Sequence, residues 1–262
     1  MARSLQRGSV ADSIVVVTPS ADNTVTGIFG RGAVQWFLNT GTFTVPSGVN
    51  TVRVRVWGAG GTGAGAGGGF ALKVLTGLTP GDTVAVTVGA PVAVGTGGTS
   101  SFGAFVSATG GVGGTVDPTA VPSTIVRAGG TGVGGDVNAT GGAGSYTLSG
   151  SPVQISGFAG GVAGVFGDGG AQDAPGNAGA VVVGTSSHSG SNISTAGSSS
   201  GQPSIWGLGG SSVALDFIGT GAGGEIGING AGGTRAGGFP GGGSYMSGGV
   251  FRGGRGLVIV EW

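Results

Sequence analysis

Asn50-Thr-Val-Arg-Val-Arg-Val-Trp57 alternates without a break: Val52, Val54 and Val56 share one face of an extended chain, Arg53, Arg55 and Trp57 the other. A helix would bring residues three and four apart together and mix valine with arginine, so the segment predicts a β-strand with one buried face. Thr42–Val45 precedes it and stops at Pro46-Ser47-Gly48, a turn signal. Downstream, Phe70–Leu75 and Thr83-Val-Ala-Val-Thr-Val88 read as strands joined by Gly77-Leu-Thr-Pro-Gly81, and Ser101–Ala108 reads as one more. Gly256-Leu-Val-Ile-Val-Glu-Trp262 is an apolar strand that needs a buried partner, and Val52–Val56 is the partner expected. Short strands at this spacing predict a small antiparallel sandwich or barrel over residues 41–110, closed by residues 256–262.

Glycine takes 68 of the 262 positions, about a quarter and several times the usual share. So much glycine suggests disorder, since each one loses more backbone freedom on folding than any other residue. The rest of the composition opposes that. Hydrophobic residues make up 38 % and charged residues only 8 %, with a positive mean hydropathy, so the chain must bury its apolar groups to stay in solution. Ten basic and ten acidic side chains cancel, and Lys73 is the single lysine. Phosphate neutralisation needs clustered Lys and Arg, so neither nucleic acid nor an anionic membrane is expected as a partner. The chain has no cysteine, which excludes disulfides, thiolate metal sites and cysteine nucleophiles. Near the N-terminus the only apolar run, Ile14–Val17, is too short for a signal-peptide core or a membrane span, so export by the ordinary secretory route is not expected. Residues 1–40 carry a short strand signal at Ser13–Thr18 and the aromatic pair Trp36-Phe37. They read either as an attachment segment or as an extra strand pair of the main domain.

Residues 111–255 are glycine-rich with a local period of three. Gly161, Gly164, Gly167 and Gly170 are so spaced, as are Gly221, Gly224, Gly227, Gly230 and Gly233. An extended left-handed helix has three residues per turn, so glycine at every third place gives it one bare edge along which backbones can pack. The repeat breaks too often, and proline is too scarce at ten residues, for a collagen triple helix. A compact bundle of antiparallel polyglycine-II-like helices fits better. Ordering each residue costs roughly 1–2 kcal/mol, while an inter-helix hydrogen bond returns about 0.5–1.5 kcal/mol. Apolar residues between the glycines, such as Val162, Val165, Phe166, Ile226 and Ile228, must supply the difference.

Phe43-Thr-Val-Pro-Ser-Gly-Val49 followed by Val52-Arg-Val-Arg-Val-Trp-Gly-Ala-Gly-Gly61 resembles the glycine-rich domain of phage tail-fibre and prophage tail proteins. Gly68-Gly69-Phe70, Gly77-Leu-Thr-Pro-Gly81 with Val86-Thr-Val-Gly89, Gly97-Gly-Thr-Ser-Ser-Phe-Gly103 and the closing Gly253-Gly-Arg-Gly-Leu-Val-Ile-Val-Glu-Trp262 continue the likeness, which spans residues 41–110 and 253–262. The middle of the chain resembles tip adhesins of T-even-type phages only in character, as glycine tracts interrupted by irregular segments. The resemblance implies a virion protein of the phage tail, made in the host cytoplasm and held by other tail or baseplate proteins. It also implies a homotrimer and a packed polyglycine-II core whose loops bind a bacterial outer-membrane protein or surface glycan.

Motifs for other chemistries are weaker than they look. Gly58-Ala-Gly-Gly-Thr-Gly63 satisfies the dinucleotide fingerprint after a strand, but Ala64-Gly-Ala-Gly-Gly-Gly69 is a poor helix former where the fingerprint needs a helix. His188 is the only histidine, and no G-x-S-x-G elbow occurs. Asp168 and Asp173 are the nearest approach to a carboxylate pair and read as turn caps. Asp136 and Asn138 lack the spacing of a calcium repeat. No enzyme activity, cofactor or metal is expected. The aromatic residues that interrupt the glycine tracts are the better site signal, since they bury large area at small entropic cost. Tyr146, Trp206, Phe217, Phe239 and Tyr245, with His188 and Met246, are the candidate receptor-binding residues, read against capping of the bundle ends. The segments that carry binding are expected to be Ser145–Phe158, Thr185–Trp206, Ser211–Ile218 and Ser244–Phe251. The competing reading is a purely structural fibre or baseplate protein without a ligand. An ice-binding glycine bundle, which calls for flat faces of repeated threonine, comes third.

Overall fold

The structure, a computed structural model, describes residues 24–29, 32–115, 123–149, 154–165, 167–169, 177–178, 181–183, 186–188, 198–200, 211–212, 237, 239–244 and 252–262. These residues form an all-β chain. The first strands are β1 (Thr24–Phe29), β2 (Gly32–Phe37), β3 (Gly41–Thr44), β4 (Thr51–Trp57), β5 (Phe70–Thr76) and β6 (Thr83–Thr87). Next come β7 (Ser100–Phe102), β8 (Val106–Ala108), β9 (Ser123–Arg127), β10 (Gly132–Val133), β11 (Val137–Ala139), β12 (Gly144–Ser149) and β13 (Gln154–Phe158). The short β14 (Asn177–Ala178), β15 (Val181–Val183), β16 (Ser186–His188), β17 (Ser198–Ser200) and β18 (Ser211–Ser212) follow, and β19 (Leu257–Glu261) ends the chain.

Two antiparallel sheets face each other, one in the order β1-β2-β19-β4-β5-β11 and the other β10-β8-β7-β6-β3. The valines of β4 point between them and are buried with Phe43, Val86 and Phe102 from the opposite sheet. Each buried valine contributes about 1.5–3 kcal/mol relative to an exposed position. The turns at Pro46-Ser47-Gly48 and Gly77-Leu-Thr-Pro-Gly81 do not make hairpins. Each carries the chain from one sheet to the other, with Gly48 at φ 77° and Gly77 at φ 76°, and the two connections bond to each other through Val45 and Asp82. Ser101–Ala108, expected as one strand, is instead the hairpin β7–β8. Gly103 takes φ 53°, and the amide of Phe105 donates to the carbonyl of Phe102, so the chain reverses in the middle of the run.

The closing strand lies in the interior of its sheet, between β4, as expected, and β2. All five of its residues are buried. Val258 and Val260 face the core between the sheets, while Leu257 and Ile259 join Trp57, Phe70, Val162 and Ala163 on the far side. β1 and β2 form a hairpin on the same sheet, so residues 24–37 enter it as a strand pair. The strand signal at Ser13–Thr18 lies outside the described residues.

Between strands the chain runs through short glycine segments that pair by no regular ladder. Residues 58–69 are buried throughout. Within 65–69, Gly65 and Gly68 donate their amides to Ser244 and Gly241, Ala66 and Gly69 to Val112 and Thr109, and Gly67 to Gly142, at 2.8–3.1 Å. Amides three residues apart therefore reach the same neighbour. The carbonyls of 65–69 accept from Gly58 and Gly61, from Gly130, and from Gly160 and Ala163. One segment is thus bonded to six others, donating to three and accepting from three. Such packing leaves no room for side chains at certain places: a Cβ on Gly67 would stand 1.9 Å from the carbonyl oxygen of Gly161.

Candidate functional site

The alternation in β4 predicts an outer face for Arg53, Arg55 and Trp57, and the structure covers most of that face. Trp57 is buried against Phe70 and Leu257 beneath the segment that carries Val162 and Ala163. Arg55 is buried as well and pairs with Glu261, which also pairs with the half-exposed Arg53. Register brings them together, since Glu261 lies opposite Arg53 on the neighbouring strand and Arg55 opposite Ile259. One carboxylate held by two guanidiniums is suited to pinning β19 to β4. The Nε of Arg55 is buried without a hydrogen-bond partner.

The three candidate contact residues among the described ones lie on different elements. Tyr146 lies in β12, the middle strand of a sheet ordered β13-β12-β9, opposite Gly157 and Ile125. His188 ends β16, opposite Val181 in a separate two-stranded sheet. Phe239 is half-buried and packs against the cluster around Trp57 and Phe70, beside a cis bond to Pro240. Trp206, Phe217, Tyr245 and Met246 lie outside the described residues. The Ser145–Phe158 segment, expected to be irregular, is a β-hairpin paired from Ser145↔Phe158 to Ser149↔Gln154. The outer strand of that sheet, β9, exposes Thr124, Ile125 and Val126, the last at 69 %.

Of the structural glycines, Gly161 accepts the amide of Gly142 within the stack. Gly164 and Gly167 exchange two hydrogen bonds with each other across a turn, with Gly167 at φ 132°. That pair sits at the base of a chain reversal, so its spacing of three does not measure successive turns of one extended run. Gly170, Gly221, Gly224, Gly227, Gly230 and Gly233 lie outside the described residues.

Side chains suited to other chemistries are engaged elsewhere. The amides of Gly58, Ala59, Gly60, Gly61 and Thr62 all donate to backbone carbonyls, so the glycine fingerprint there has no free N–H to offer a phosphate from those residues. A carboxylate oxygen of Asp136 accepts the amide of Val74, and the Asn138 amide group bonds both the N–H and the C=O of Gly135. Asp168 accepts the amide of Thr140 at 2.7 Å. Among the described residues no three His, Asp or Glu side chains gather where a metal could bind. No protein-family model matches this chain, and no curated protein is similar to it.

Proposed function

We propose that this chain is a receptor-binding component of a phage tail fibre, with the glycine stack as polyglycine-II scaffold and the segments leaving the stack as the parts that meet a bacterial surface. The observation that carries the scaffold reading is the directional repeat of the amides. A left-handed extended helix with three residues per turn rotates each successive N–H by a third of a circle. In residues 65–69 the same neighbour is reached every third residue. The residues that resemble the tail-fibre domain, 43–49, 52–61, 68–70, 77–81, 86–89, 97–103 and 253–262, coincide with the sandwich strands, the turn between β5 and β6 and the glycine segments between strands.

A scaffold of this kind satisfies its backbone internally and stays rigid, so specificity falls to side chains on the segments that exit it. Tyr146, His188, Trp206, Phe217, Tyr245 and Met246 are the anchors on this reading, while Phe239 contributes by holding its segment to the core. A homotrimeric fibre would bind through several weak contacts at once and gain avidity without new ones. The test exchanges residues 185–206, 211–218 and 244–251, glycines of the stack left intact, for those of a fibre of different host range. Host range is expected to travel with the segments. If it stays put while the protein remains folded, a purely structural role in fibre or baseplate replaces this reading.

A further inference from the structure

The outer face of the five-stranded sheet differs in chemistry from that of the six-stranded sheet it packs on. Its inner face is apolar, through Phe43, Val84, Val86, Phe102 and Val106. The alternate residues point away from the core: Thr42 and Thr44 on β3, Thr83, Ala85 and Thr87 on β6, Ser101 on β7 and Ser107 on β8, all exposed or half-exposed. They fall into rows, because Thr44 pairs with Thr83, and Thr87 with Ser101, which in turn pairs with Ser107. A further row, on the same side of the chain, continues into the glycine stack. Thr109 bonds to Thr131 through backbone and hydroxyl, and Thr131 lies opposite Thr140. Neighbouring hydroxyls are therefore spaced about 4.8 Å across strands and about 7 Å along them.

Two properties of this face select its partner. None of the five strands contains a charged residue, in contrast to the other sheet, which carries Arg53, Arg55, Lys73 and Glu261. Among the described residues, no hydrogen bond within the protein engages the hydroxyls of Thr42, Thr44, Thr83, Thr87, Ser101 or Ser107. Each can donate one and accept two from outside. At the turn between β7 and β8, Phe105 is 45 % exposed while its ring is braced 6.4 Å from that of Phe102, which gives the end of the array a fixed apolar surface. Anionic ligands would find no cation on these strands, and a protein partner would find only Ala85, Phe105 and Val133 to bury, less apolar area than a stable protein interface needs. A neutral, extended, polyhydroxylated chain meets both conditions.

The geometry points to this face as a second binding surface, for a neutral polysaccharide, separate from the segments proposed above to recognise a receptor. The experiment measures binding of the full chain to an array of neutral and anionic bacterial surface polysaccharides. The comparison protein carries Thr87→Val, Ser101→Ala and Ser107→Ala, which remove three hydroxyls and keep strand-compatible shapes. The unmodified protein is expected to bind neutral polysaccharides, and the triple variant to lose about tenfold or more in affinity at unchanged Tm, as three ligand hydrogen bonds imply. A second variant, Thr42→Val with Thr44→Val and Thr83→Val, should weaken the same binding and serves if the first fails to fold. Absence of binding to every neutral polysaccharide overturns the proposal. So do binding confined to anionic ones, full affinity in the folded variants, or a threonine-dependent effect on ice growth in place of polysaccharide binding. Segment exchange at residues 185–251 should leave this binding unchanged, so the two surfaces can fail independently.

Discussion

Gly67→Ala isolates the packing of the glycine stack from every other effect of losing a glycine. Gly67 does not adopt a positive φ, so alanine brings no backbone strain of its own there. Its Cβ, however, would stand 1.9 Å from the carbonyl oxygen of Gly161, where ordinary contact begins at 3.4 Å. The obstacle is backbone held by hydrogen bonds. Gly67 donates to Gly142 and accepts from Gly130, and Gly161 accepts from Gly142, so a shift of more than 1 Å breaks at least one of these bonds. Overpacking a filled interior costs about 1–3 kcal/mol, and each lost hydrogen bond adds about 0.5–1.5 kcal/mol, so the variant should lose about 1.5–4.5 kcal/mol with one bond broken and more with two. Gly77→Ala provides the control. Gly77 has φ 76° with nothing within 4 Å of the added methyl, so only the left-handed conformation is penalised, at about 1–2 kcal/mol. Urea denaturation of the two variants, followed by far-ultraviolet circular dichroism, should place the midpoint of Gly67→Ala well below that of Gly77→Ala. Equal midpoints would mean that the stack yields to a methyl group, and the rigid-scaffold argument would then have to be abandoned.

Glu261→Ala should destabilise by about 3–5 kcal/mol by leaving the buried Arg55 charge without its counterion, whereas Arg53→Ala, at the exposed end of the pair, should cost about 0–1 kcal/mol. Replacing both buried members, Arg55→Met with Glu261→Leu, should recover most of that loss in the same denaturation assay. A double variant as unstable as Glu261→Ala would show that the guanidinium is not the source of the penalty. Deleting Leu257–Trp262 removes an interior strand paired on both sides and should abolish the cooperative melting transition; calorimetry showing an unchanged Tm would place the strand at the margin. Lys73→Met removes the 2.7 Å bond from Nζ to the carbonyl of Gly134 at an exposed site and should cost no more than about 1 kcal/mol by the same measurement.

What the sequence by itself determined is local. Strict alternation in residues 50–57 specified a strand with one buried valine face, because side chains of an extended chain take opposite sides in turn. The unbroken apolar run 257–260 specified a strand in need of a buried partner, and Val52–Val56 was the partner expected for it; that both of its faces are covered is seen only in the structure. Glycine, proline and aspartate marked the places where strands stop. What they could not mark was which sheet the chain enters next. Pro46-Ser47-Gly48 and Gly77-Leu-Thr-Pro-Gly81 reverse direction equally well within one sheet or between two, and only the facing core decides for the second. The same is true of Trp57, which alternation puts on the outer face of its strand and which is buried only because Leu257, Val162 and Ala163, distant in sequence, pack against its cluster.

The glycine segments show the division most clearly. A period of three in glycine position pointed to residues 161–170 and 221–233, the second of which lies outside the described residues; the threefold repeat of amide direction is found in 65–69, where Gly65 and Gly67–Gly69 surround Ala66, and also at Gly160 and Ala163. In 65–69 the amide direction repeats every third residue although Ala66 is not glycine. Whether a given place must be glycine depends on which segment lies against it: Ala59 and Ala66 are buried without conflict, while Gly67 has a carbonyl in the way. That neighbour comes from 94 residues further along the chain, and no local pattern announces it; only tertiary packing decides where a side chain can stand.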